Sequence, residues 1–534
     1  MTTTDSIADR AGENPTDPVQ PLVQTTSGQV RGFVRDGVRQ WRGIPYALAP
    51  AGERRWRAPE PVGSSAAVIE AGDYSPICPQ PNSPAVALPA DARQDEDCLS
   101  LNIAVGPGCD PDNPAPVMVW VHGGAYIFGA SSQPIFEPTN MASVAPVVVV
   151  TINYRLGALG FLDLSSFSTP EQCFDSNLAL RDVLCALEWV RDNIAAFGGD
   201  PNRVTLAGES AGGGIVATLL TVPAAVGLFS RAIVESAPAT SVYDQERGAR
   251  VAAMFLDELG LTGADVPRLR EVPVEELVRA SYAVYTAVPD QFPGTLAYAP
   301  IVDGDLLPDY PLNRYRAGLS HPVPLLIGTN KDEAAAFKLM KSPLMPITSD
   351  AIMRMFADMA ADHPDLTLPS EAQVGSAYSG MNLKAKGLGV ARDLGFRMPT
   401  VWLAEGHSQV ADVYLYRFDW ATPMLHLLGI GATHATELPY LWGNLVSGPK
   451  DITFRLGGLK KGERVSQRLQ QRWLAFVCGA EPDAAPAPSW PTYRVEPDAD
   501  AARATLVIDA HDRLVLDLDH DLRVAWGDEV LSFL

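Results

Sequence analysis

The chain has 534 residues, 47% of them hydrophobic, which is material for a large core; length alone does not divide it, since a single domain can grow to this size by insertion. With 41 basic against 63 acidic residues the net charge is −22, which argues against binding a nucleic-acid backbone or attaching to an anionic membrane.

Met1 to Gln20 is rich in Thr, Asp and Pro and has no apolar signal core. It reads as a disordered tail before a single domain, 21–534, and with no export signal in view the expected compartment is the cytoplasm. Pro116–Val121 reads as a buried strand that runs into His122-Gly123-Gly124. A His-Gly-Gly loop leaving a strand supplies backbone N–H groups for an oxyanion in serine hydrolases of the α/β type. An ordinary turn is the alternative for the glycines, and a structural hydrogen bond for His122. Val147–Ile152 is strand-like and Leu180–Ile194 helix-like, the alternation of a doubly wound sheet.

Arg203–Ala207 is a β-prone run that leads into Gly208-Glu209-Ser210-Ala211-Gly212, and Gly213–Leu220 is apolar and helix-compatible. A Gly-x-Ser-x-Gly turn between strand and helix lifts the serine into a strained, exposed position, with a helix start behind it to meet negative charge. Gly212–Phe229 is almost wholly apolar, but Pro223 and its glycines make it a buried helix and loop, not a membrane span. Glu209 and Tyr126 are expected to shape the pocket mouth, a purely structural role being the alternative for each. Asp244–Gln291 and Ser349–Gly395 are helix-prone and are expected to cap the sheet as walls of a gorge.

A serine nucleophile needs a histidine base and an acid to orient it. Pro324–Gly328 reads as another buried strand with Asp332 and Glu333 just beyond its end, and spacing alone does not choose between them. The histidines that follow are His363, His407, His426, His434, His511 and His520. His434 lies in a small-residue segment suited to a loop; His426 lies in an apolar stretch and reads as a packing residue. Val413–Tyr416 returns to the sheet, Gln467–Val477 is a late helix, and Leu506–Val524 holds pieces of an edge hairpin. Cys109, Cys173, Cys185 and Cys478 have no metal-ligand spacing, and no metal or cofactor motif is present.

Several runs together resemble the type-B carboxylesterases, the group that includes the cholinesterases, within the α/β-hydrolase fold. They are Trp41–Ala47, Glu96–Ile103, Val119–Gly124, Asn153–Phe161, Phe197–Val204, the Ser210 pentapeptide, Thr329–Glu333 and His434, and the similarity extends from about Leu22 to the C-terminus. The resemblance implies a mostly parallel central sheet flanked by helices, with helical insertions forming a gorge. It implies Ser210 as nucleophile, Glu333 as the acid and His434 as base and then acid. The oxyanion donors would be the N–H groups of Gly124, Ala125 and Ala211, where Ala125 replaces a glycine common in relatives and narrows the acyl side. Ser236 would support the triad's hydrogen bonds. Cys78 and Cys98 match positions that form a disulfide in many secreted relatives, whereas a cytoplasmic compartment would keep them reduced.

The loop from Cys78 to Cys98 has no aromatic residue to hold a choline ammonium by cation–π contact, so cholinesterase activity is not expected. The expected activity is hydrolysis of uncharged esters, short-chain acyl or aryl, with no cofactor, by a monomer or homodimer. A hydrolase of carbamates or other xenobiotic esters would have the same triad. A binding protein that has lost catalysis is the alternative from another class.

Overall fold

The computed structural model describes residues 20–340, 342, 344–362, 369, 371–446, 451–496 and 502–527. The expected tail lies outside these residues except for Gln20, and so does His363. The strands in chain order are β1 (Leu22–Thr25), β2 (Gly28–Arg31), β3 (Phe33–Arg35), β4 (Val38–Pro45), β5 (Ile69–Glu70), β6 (Ser100–Val105) and β7 (Ala115–Val121). They continue as β8 (Val148–Ile152), β9 (Gly199–Glu209), β10 (Arg231–Glu235), β11 (Leu325–Asn330), β12 (Val413–Phe418), β13 (Ala504–Ile508) and β14 (Arg513–Leu516). β1, β2 and β5 form a small sheet, and the rest form one sheet in the order β14-β13-β12-β11-β10-β9-β7-β8-β6-β4-β3.

From β8 to β13 every neighbouring pair in that order is parallel, and the antiparallel pairs lie toward the two edges. The central strands are apolar without a break because both faces are covered. In β7, Val117, Val119 and Val121 enter one core while Met118 and Trp120 enter the other. The first face carries the helices Leu178–Asn193, Ala211–Leu219 and Met398–His407. The second carries Thr139–Val144, Leu438–Trp442 and the long helix Leu459–Cys478.

Between these layers sits one fully closed ion pair. Arg155 Nη2 and Nε donate to Asp182 Oδ1 and Oδ2 at 2.6 and 2.8 Å, its backbone N–H adds a third bond, and Nη1 reaches Arg57 O. The expected caps are helical: Gln245–Glu258, Val274–Gln291, Ser349–Asp362 and Leu383–Arg392. They supply Tyr282, Tyr285, Met355 and Met359 to the wall of a cavity above the sheet.

Two expectations about the C-terminal part change. The late helix starts at Leu459, a full two turns before Gln467, because its charged first half still buries Val465 and Ser466. β13 and β14 do pair as an edge hairpin, but the chain after Leu516 turns into the helix His520–Trp526, anchored by Ala525 and Trp526 in the core. Among the described residues no helix is long and apolar enough to cross a membrane.

Candidate active site

Ser210 stands at the joint between β9 and the helix Ala211–Leu219 with φ 55° and ψ −124°, a conformation an L-residue adopts only under strain. Two hydrogen bonds fix the turn, Ser210 N–H to Glu235 O at 2.9 Å and Gly214 N–H to Ser210 O at 2.8 Å. The flanking glycines are required by contact. A Cβ on Gly208 would lie 2.6 Å from Gly212 C, and one on Gly212 would lie 2.1 Å from Val121 O.

The serine hydroxyl donates to His434 Nε2 at 2.8 Å, and His434 Nδ1 donates to Glu333 Oε2 at 2.7 Å. A ring whose Nδ1 proton faces a carboxylate has its lone pair on Nε2, toward the serine. Glu333 is wholly buried and well supplied with donors, since Ser236 Oγ gives to Oε1 at 2.6 Å and Asn330 N–H at 2.7 Å. Spacing left Asp332 open beside Glu333, but Asp332 accepts from Ala432 N–H and thereby holds the loop that carries the histidine. In the fold it is Glu333, and not Asp332, that lies within hydrogen-bond reach of His434.

The loop after β7 lies directly against the serine: a Cβ on Gly123 would come within 3.0 Å of Ser210 Cβ. Gly124, Ala125 and Tyr126 all have positive φ. Among the described residues no hydrogen bond takes up the N–H groups of Gly124, Ala125 or Ala211. His122 is not part of this arrangement. It is buried, stacked on Tyr154, bonded through Nδ1 to Gly123 O, and burial lowers its pKa to about 4.

Glu209 is the residue that sequence reasoning misplaced. It lines the cavity, yet it lies buried at the base and not at the mouth, with Oε1 3.2 Å from His434 Nε2. Burial pushes its pKa up to about 7, against the attraction of His434. Burial also works against a charge on His434, but Glu209 and then Glu333 outweigh it and hold the histidine above its ordinary value. The only sequence clue was an acid directly beside the nucleophile on a strand buried on both faces. Tyr126 is likewise not at the mouth; it is buried against Phe161 and Gly214. His426, expected to pack inside, is exposed on the single-turn helix Pro423–Leu427, where Leu427 and the following Leu428 also face solvent. Its apolar neighbours are a surface patch.

The cavity has a volume of about 690 Å³ and opens onto Ser210 and His434. Phe337 and Phe396 flank the imidazole at 5.3 and 4.7 Å between ring centres. The loop between Cys78 and Cys98 contributes Ser83, Pro84, Ala85, Val86 and Ala87, which are small and uncharged. Cys78 and Cys98 are buried free thiols, and Cys78 Sγ accepts from Leu156 N–H at 3.3 Å.

The profile of the Carboxylesterase family matches residues 19–513. The chain is 37% identical over 511 residues to the para-nitrobenzyl esterase of Bacillus subtilis (strain 168), covering 94% of this chain and 97% of that protein. It is 32% identical to the phenmedipham hydrolase of Pseudarthrobacter oxydans, covering 90% of this chain and 94% of the other. Among solved structures, a PNB esterase superposes with a TM-score of 0.80 at 36% identity, over 95% of this chain and 100% of that one. The carboxylesterase EST55 of Geobacillus stearothermophilus at pH 6.2 gives 0.81 at 34% identity, with the same coverage. By sequence and by fold alike, this chain belongs to the carboxylesterase family, and it is a carboxylic ester hydrolase.

Proposed function

We propose that the protein hydrolyses uncharged carboxylic esters through an acyl-enzyme on Ser210, with His434 as base and then acid and Glu333 as the acid that orients it. The observation that carries the reading is the unbroken chain of hydrogen bonds from Ser210 through His434 to Glu333. His434 takes the hydroxyl proton as Ser210 attacks the ester carbonyl, and the developing oxyanion meets the N–H groups of Gly124, Ala125 and Ala211. The imidazolium then protonates the leaving alcohol, water enters, and the same groups release the acid. Ser236 keeps Glu333 in place by its hydrogen bond. A binding-only protein would have no use for so complete an arrangement.

The leaving oxygen must reach His434 Nε2, and Phe337 and Phe396 border that ring, so aryl and benzylic alcohols meet a matching surface. The relative from Bacillus subtilis is named for a para-nitrobenzyl ester, which agrees with this preference. The uncharged wall from Ser83 to Ala87 supports neutral substrates. The free thiols of Cys78 and Cys98 fit a reducing, cytoplasmic setting.

The test is hydrolysis of para-nitrophenyl esters across acyl lengths by the wild type beside three variants. Ser210→Ala should lower kcat on the order of 10⁶-fold, with His434→Ala close behind and Glu333→Gln less severe. A Ser210→Ala enzyme that keeps its turnover would sink the assignment.

A further inference from the structure

Behind the triad the fold gathers more buried carboxyls than the chemistry of Ser210, His434 and Glu333 uses. Glu209 and Glu235 are register partners on the parallel strands β9 and β10, so both side chains leave the same face of the sheet, with strands about 5 Å apart. Tyr416 stands in the same row two strands further on, its ring covering Gly328. Glu437 joins from the segment that carries His434, held by Asn330 Nδ2.

All these side chains are buried. Glu209 Oε1, Glu235 Oε2, Glu437 Oε1, Asn330 Oδ1 and the Tyr416 hydroxyl have no hydrogen-bond partner among the described residues. None of the glutamates is paired with a lysine or arginine among those residues, and no group there is arranged to hold a metal ion. Carboxyls confined in this way cannot all be charged at once, and some of them retain protons, because a buried charge without a counter-ion or donors is costly. Burial raises Glu235 to about 8, with the Trp473 N–H opposing it. Burial, joined by Glu209, Glu235 and Glu333, raises Glu437 well above the ordinary carboxyl range.

Trp473, on the helix Leu459–Cys478, decides where the proton of Glu235 rests. An indole N–H can only donate. Trp473 Nε1 gives its hydrogen to Glu235 Oε1 at 2.6 Å, which makes Oε1 the acceptor oxygen and leaves the acid proton on Oε2. The T-shaped contact of Trp473 with Tyr416, 5.0 Å between ring centres, fixes the indole in that pose. The titratable groups facing the cluster are Glu209 from β9, Glu333 beyond β11, Tyr416 from β12, and His434 with Glu437.

We propose that Glu235 is a positioning residue of the hydrolytic site: as a neutral acid oriented by Trp473, it presents its Oε2 proton to the carboxyl cluster and lets Glu209 carry the negative charge that supports His434. The inference rests on the esterase reading and adds a residue that touches neither substrate nor imidazole. A second negative charge at Glu235 would compete with the one on Glu209, whereas a proton donor there stabilises it.

The experiment compares Glu235→Leu with Glu235→Gln in the full chain, reading kcat/KM for a para-nitrophenyl ester against pH. Leucine removes the donor, so Glu209 keeps its own proton to higher pH: activity at pH 7 should fall about tenfold, and the acid limb, which belongs to Glu209 and His434 together, should move to higher pH, the size expected of a one-unit shift at Glu209. Glutamine still accepts from Trp473 and still donates, and it should restore activity to within about twofold of wild type with the wild-type acid limb. Equal damage in both variants, or a wild-type profile in the leucine variant, would overturn the proposal. Infrared difference spectra at pH 7 provide a readout that needs neither turnover nor the leucine variant. A protonated-carboxyl band present in the wild type and lost in Glu235→Gln is expected, and identical spectra would overturn it. An inert wild type that shows this band would defeat the esterase reading alone.

Discussion

Asp182, on the helix Leu178–Asn193, and Glu235, at the end of β10, are both wholly buried acids in one molecule, and their surroundings are opposite. Asp182 is closed off: a forked guanidinium and a backbone N–H satisfy both of its oxygens. Glu235 receives one indole N–H and otherwise faces other acids. Matched charges of the first kind lock the chain after β8 onto a helix. The second kind is unfavourable for folding and persists where an adjustable charge is useful, beside a histidine that must gain and lose a proton.

One substitution type, acid to amide, should therefore have opposite effects at the two places. Asp182→Asn leaves Arg155 buried without its counter-charge, and the expected loss is about 3–5 kcal/mol of stability. A melting scan of the variant would show it, and a melting temperature equal to wild type would mean that the pair holds nothing. Glu235→Gln should instead stabilise the protein. The folded pKa of Glu235 is about 8, above the ordinary value, so its contribution is fully present at acidic pH and is lost as pH rises through 8. The amide does not titrate. The gain should be absent near pH 4 and reach roughly 4 kcal/mol by pH 8, measured by denaturation at both pH values. A gain that ignores pH would assign the effect to packing.

Glu209 is where the acidic cluster meets the chemistry, and a smaller effect separates its two consequences. Its carboxylate is the largest influence raising the pKa of His434, against burial, and the base must be neutral to accept the serine proton. Glu209→Gln should thus move the acid limb of kcat/KM to lower pH. It also removes the charge that supports the imidazolium once formed, so kcat on the plateau should fall about tenfold, or roughly 1.4 kcal/mol. Because Glu209 and His434 titrate together, the limb belongs to the pair and not to either residue. A lower plateau with an unmoved limb would show that Glu209 acts by shape.

These contrasts also explain what could be read from the sequence and what could not. The strained turn at Ser210 and the glycine loop after β7 announce themselves because such turns demand glycines at fixed offsets, and fixed offsets are visible in one dimension. The central strands are equally plain, since burial on both faces makes them apolar throughout. The choice between Asp332 and Glu333 depends on which side chain points at a loop a hundred residues away. Glu235 is hidden for the same reason: its partners Trp473, Glu437 and Tyr416 come from separate elements, and nothing local marks an acid at a strand end as neutral. His426 misleads in the reverse direction, because an apolar neighbourhood in sequence turned out to be an exposed patch.

The backbone of the site offers the finest test of whether strain there is kept for function. Ala125 has a φ of 52° and lines the cavity. Holding a Cβ in that region costs about 1 kcal/mol, but glycine would return about 0.5–1 kcal/mol as extra freedom of the unfolded chain. The two nearly cancel, so Ala125→Gly should leave the melting temperature within a degree or two, unlike either acid-to-amide change. Its effect should appear in selectivity. Removing one methyl group beside the oxyanion loop makes room for α-branched acyl groups, and the ratio of branched to linear ester hydrolysis should rise about tenfold, near the lower limit for one carbon in a pocket. The N–H of residue 125 stays where it is in either variant, so kcat for acetyl esters should hold. If the acetyl rate falls with the branched ratio unchanged, the methyl group is setting the pose of the oxyanion donors and not the width of the acyl side.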